Sequence, residues 1–158
     1  MIRIERNTVL AVSVITASIL VGLAPFVIKE TSIEEVKVTF NSSVDVRDTG
    51  PANMTSLGIN AGKNLKFGDI EQNANYTKWI NVGVNERSRV EIRSEGNISE
   101  LLRYDRVRYM KGQGRIPVEL FPHSTGYYEG KVVLTVWRPR NRLGELYLET
   151  WKKTDDWF

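Results

Sequence analysis

The group best suited to proton transfer is His123, the single imidazole in a chain of 158 residues. It stands in Phe121-Pro122-His123-Ser124-Thr125-Gly126, beside a hydroxyl that an adjacent base would have to activate. Neighbours in sequence rarely hold that geometry and no orienting carboxylate is evident, so no serine–histidine pair is expected. One imidazole and no cysteine exclude thiolate nucleophiles, disulfides and metal sites built from sulfur or two imidazoles. The pairs Glu34-Glu35 and Asp155-Asp156 are adjacent, which suits solvated charges or a weak cation site better than an acid–base dyad, and no calcium loop is present. Gly112-Gln113-Gly114 has phosphate-loop composition but opens no helix, so a hairpin turn is expected there. No catalytic residue, cofactor or metal is assigned.

Two other groups of residues have recognisable uses. Asn41, Asn53, Asn75 and Asn97 each begin an Asn-X-Ser/Thr sequon without proline, the acceptor pattern for glycosylation. Arg87, Arg89 and Arg93 alternate along one strand face with Glu91 between them. From residue 86 to 115 there are eight basic and five acidic side chains. Such a face meets an acidic partner, acidic glycans or anionic headgroups, or else is a solvated sheet face laced with ion pairs. Trp79 and Trp137 fall out of phase with the neighbouring core positions, so each faces a second layer, an interface or solvent. Together Arg87, Arg89, Arg93, Trp79 and Trp137 form the expected interaction face.

The elements that position these residues begin with a run of 21 uncharged residues, Thr8 to Ile28. That length suits a helix crossing a hydrocarbon core about 30 Å thick. It exceeds the apolar region of an ordinary cleaved signal peptide, so an uncleaved signal anchor is favoured, with cleavage the alternative. Arg3 and Arg6 precede the run and Lys29 alone closely follows, which places the N-terminus inside and the remainder outside. The expected organisation is a short cytoplasmic segment (1–7), a transmembrane anchor (8–28), a β-sandwich (29–140) and a C-terminal extension (141–158). Beyond residue 28 there are 20 basic and 18 acidic groups, too even a balance for a nucleic-acid binder.

After Lys29 the hydrophobic period becomes two, broken by turn residues, which is an all-β pattern. The expected strands are Ile33 to Phe40, Leu57 to Asn60, Asn64 to Phe67, Tyr76 to Val84, Ser88 to Ser94, Arg106 to Met110, Arg115 to Phe121 and Tyr128 to Arg138. Alternation assigns Val90, Ile92, Ile116, Val118, Leu120, Tyr128, Val132, Leu134 and Val136 to the core. Gly126 and Gly130 are turn and bulge candidates. In the extension, Leu143, Leu146, Tyr147 and Trp151 fit a helix, while Leu146 and Leu148 alternating with charged residues fit a strand; both stay open.

The order Leu65-Lys66-Phe67-Gly68-Asp69-Ile70, Tyr76-Thr77-Lys78-Trp79-Ile80-Asn81-Val82-Gly83, Ser88-Arg89-Val90-Glu91-Ile92 and Gly126-Tyr127-Tyr128-Glu129-Gly130-Lys131-Val132-Val133 resembles the immunoglobulin-like sandwiches of the abnormal-spindle and major-sperm-protein class. The resemblance covers roughly residues 57 to 138. It implies a sandwich of seven to eight strands and a setting like that of anchored archaeal surface proteins, and it brings no catalytic residues. The expected function is a single-pass, extracellular, non-catalytic binding or scaffold module with a protein or surface-polymer partner. The alternative is a filament or envelope subunit that associates with further copies by strand addition. An anchored hydrolase is the least supported reading.

Overall fold

Alternating β-branched and polar residues give the chain its strands, and their length exceeds the sequence-based expectation. A computed structural model describes residues 23, 25–48, 56–59 and 64–155. Helix α1 (residues 25–32) leads without a loop into β1 (Ile33–Arg47). There follow β2 (Ser56–Ile59), β3 (Asn64–Glu71), β4 (Tyr76–Gly96), a 3-10 turn (Asn97–Glu100), β5 (Leu102–Arg103), β6 (Val107–Leu120), β7 (Gly126–Pro139) and helix α2 (Arg142–Asp155). The expected membrane segment lies mostly outside the described residues. Among the described residues no helix is long and apolar enough to cross a membrane.

The seven strands form one mixed sheet in the order β3-β1-β7-β4-β6-β5, with β2 beside β4. β1 and β3 run parallel, as do β2 and β4, and the other pairs are antiparallel. Both halves of the sheet contribute to the larger of its two hydrophobic clusters. Ile80, Val82, Ile116, Val118 and Leu120 from one half meet Val44, Val90, Ile92, Val132 and Leu134 from the other. The core assigned from alternation is found there, with Tyr128 at its rim.

Two expected strand pairs are each one strand. The interruption between Val84 and Ser88 is a register shift inside β4, where residues 85–87 stand opposite Lys111 alone. The Lys111–Gly114 segment, expected as a hairpin turn, lies within β6. An extra stretch on one strand sharpens twist and bends the pair. Gly112, at φ +83, takes the backbone conformation that this bend requires. Gly126 has φ +140 at the start of β7, as a turn glycine would. Gly130 is not in a bulge: it pairs in register with Ser42 and Gly96, and an added Cβ would strike the Glu95 carbonyl.

Candidate functional site

The expected interaction face divides into two environments. On the outer side of the sheet, Glu35, Trp137, Arg89 and Tyr109 form one row across β1, β7, β4 and β6. Helix α2 lies across this row. Its buried stripe, Gly144 and Leu148, continues through Trp151 and Asp155 at helical spacing. Gly144 approaches the Ser32 carbonyl, Leu148 packs on Ile33 and Trp137, and Trp151 lies 5.5 Å from Trp137 between ring centroids. Asp155 reaches Arg89 and Tyr109. A helical turn rises 5.4 Å and strands lie about 4.8 Å apart, so each turn of α2 advances about one strand.

Arg89 sits at the centre of this clasp. Its guanidinium lies 4.8 Å from the Trp137 ring centroid and 4.4 Å from that of Trp151. Its Nε donates to Asp155 Oδ2 at 2.8 Å and its Nη1 to Glu91 Oε2 at 2.9 Å. Trp137 Nε1 donates to Glu35 Oε2 at 3.1 Å, and Tyr109 Oη donates to Asp155 Oδ2 at 2.6 Å. Burial works against the Asp155 charge, but hydrogen bonds from Arg89 and Tyr109 outweigh it and hold the carboxyl below its ordinary value. Burial, then the bond to Asp155, pushes the Tyr109 phenol well above its ordinary value. Arg87 also turns to α2, 3.6 Å from Glu149. Arg89 and Trp137 thus lie beneath α2 and Arg87 borders it. Trp79, half-buried, stands on the other half of the sheet with Ile59 and Pro117 as cross-strand neighbours.

Arg93 is the exposed member. It donates to Glu91 and borders an open cleft of about 630 Å³ shared with Arg103, Arg106, Ser94, Ser99 and Tyr104. The chain from 97 to 106 builds the opposite wall, turning through the 3-10 helix and β5. Ile92 N bonds the Arg106 carbonyl at 2.9 Å and pins the wall to β4. Arg103 stacks 4.6 Å from the Phe121 ring centroid. Ser94 Oγ and Tyr104 Oη lie 2.7 Å apart. Among the described residues, no ion pair involves Arg103 or Arg106. The basic run from 86 to 115 contains all three arginines, but their convergence depends on a connection irregular in sequence.

The remaining expected residues are placed as follows. Asn41 is exposed on β1 and Asn75 is exposed in the β3–β4 connection; Asn53 lies outside the described residues. Asn97 is exposed, and its Oδ1 accepts the Glu129 N–H at 2.7 Å. His123 is exposed; its carbonyl accepts from Gln72, while the Ser124 hydroxyl contacts Tyr128 Oη at 2.5 Å. Among the described residues, no group of three or more histidine, aspartate or glutamate side chains is placed to hold a metal ion. No protein-family model matches the chain, and neither does a curated protein or a solved structure.

Proposed function

We propose that the protein is a single-pass, membrane-anchored surface module whose outward β-domain serves as a non-catalytic binding or scaffold unit. The observation that carries this reading is the junction of α1 with β1. Helix α1 takes in the last residues of the uncharged run 8–28, and Leu23, Phe26 and Val27 are exposed. Large apolar side chains on an exposed helix suit lipid better than water. The sheet is read as an immunoglobulin-like sandwich, supported by the main core that its two halves share. Tyr128 Oη also reaches the Ser124 carbonyl at 3.3 Å, the upstream backbone bond of a tyrosine corner.

Protease added to intact cells tests the topology. The expected result is release of the β-domain from a membrane stub, with glycan found by mass spectrometry on sequon asparagines, Asn75 foremost. A protected, unmodified domain overturns the reading.

A second reading, assembly by strand addition, has its own observation. Residues 33–40 of β1 have no partner on the β3 side among the described residues. Beside that edge lies an apolar groove of about 250 Å³ that includes Val36, Val38, Phe40, Val82 and Val84. Unpaired backbone beside an apolar slot is the arrangement that accepts a further strand. Stable oligomers after mild detergent extraction support this assembly, and a monodisperse monomer at high concentration opposes it.

A further inference from the structure

We infer that the Arg93–Arg103–Arg106 cleft is a binding site for an acidic oligosaccharide, a chain of sugars bearing carboxylate or sulfate groups. The inference rests on the reading of the domain as a binding module and names the ligand class of this site.

Three features select that ligand. The first is charge: three arginines line the cleft, while the lining carboxylate, Glu91, already accepts from both Arg89 and Arg93. Arg103 and Arg106 are therefore the cations presented to a ligand, and each matches a carboxylate or sulfate with paired N–H donors. The second is the hydroxyl set. Ser94 and Tyr104 share one hydrogen bond between two hydroxyls, which leaves one O–H to donate outward. Ser99 donates to the Gly96 carbonyl and keeps its lone pairs for a ligand hydroxyl. Sugar hydroxyls both donate and accept and suit such a mixed set. The third is size and shape. An open volume of about 630 Å³ accommodates a few linked rings. Arg103 is already stacked on Phe121, so binding there orders little additional side chain. A nucleic-acid strand would call for a longer basic track and a stacking platform; beyond residue 28 the charges number 20 basic against 18 acidic.

The test uses the full chain in detergent micelles and isothermal titration with four probes: oligogalacturonate, a sulfated dextran oligomer, neutral dextran and polyglutamate. Binding of oligogalacturonate or sulfated dextran, but not of neutral dextran, is expected. The preferred probe distinguishes a carboxylate from a sulfate source. Affinity falls about tenfold in Arg103→Gln and again in Arg106→Gln, as each loses one charge-assisted contact. It also weakens as salt rises, and it is unchanged in Lys131→Gln, an exposed cation outside the cleft. Three results overturn the inference: no binding of either acidic chain, equal binding of neutral dextran, or indifference to both arginine substitutions. Polyglutamate binding as tightly as the acidic sugars also overturns it and assigns the cleft to an acidic protein. A protease-protected domain on intact cells would sink the anchor reading without altering this titration. Failed titration leaves a positive topology result standing.

Discussion

The Arg89 side chain keeps 7% of its surface accessible and Arg93 keeps 75%, although they stand four residues apart on one face of β4. Both donate to Glu91. The difference is what lies above them. Arg89 is covered by Trp151 and closed by Asp155, so its charge is matched from an element 66 residues away. Arg93 lies beyond the helix, where the wall opposite supplies Arg103 and Arg106 instead of carboxylates. A buried guanidinium with both carboxylates in place locks an element down; an exposed set with spare donors is available for a ligand.

The largest expected effect that tests this contrast is Arg89→Ala. It removes the shared partner of Asp155 and Glu91 and leaves a void between two indoles, and should cost about 3–5 kcal/mol in urea unfolding. Arg93→Ala should stay within about 0.5 kcal/mol. Equal losses would dissolve the distinction. Next, Leu148→Ala should cost about 2–3 kcal/mol by weakening the small cluster with Ile33 and Trp137. Limited proteolysis of that variant should cut α2 before the sheet; simultaneous loss of both would mean that the helix and sheet unfold as one unit.

The clasp also predicts a pH dependence. The folded Asp155 carboxyl titrates below the ordinary 3.8, so its stabilisation is complete above that value. It is lost as pH falls through the lower folded value. Asp155→Asn should flatten this acid limb in pH-dependent thermal melts. Tyr109 has the opposite sense: its folded pKa is raised above 10, so its contribution is present below pH 10 and is lost as pH rises through the folded value. Tyr109→Phe should flatten the alkaline limb. The smallest effect is on the open side. Arg103→Gln and Arg106→Gln should each change stability by less than about 0.5 kcal/mol, a thermal-melt control for the binding test.

Much of the β-domain was legible because period-two alternation reports burial directly. Val90, Ile92, Ile116, Val118 and Leu120 were placed correctly from that pattern alone. Strand ends were less legible: Asn85-Glu86-Arg87 breaks the hydrophobic alternation, and only pairing against Lys111 shows that β4 continues through a bulge. Gly112 looked like a turn for the same reason, since a left-handed glycine serves either feature. The segment after Asn141 matched both periods. Packing on Ile33 and Trp137 selects the helix, and a contact so distant in sequence leaves no local signature. The arginine run was visible from residue 86 to 115, but its division between the clasp and the cleft was not.

By itself the sequence determined the inventory and the local periods. It supplied no thiol, one imidazole, one long uncharged run and a β-rich remainder, because composition and alternation are properties of neighbouring residues. Tertiary structure decided which charges meet. Asp155 neutralises Arg89 only because α2 crosses the sheet one strand per turn. Arg103 and Arg106 approach Arg93 only because the irregular connection after β4 returns along its edge. Coulomb and hydrogen-bond energies depend on distance in space, and the fold alone sets that distance.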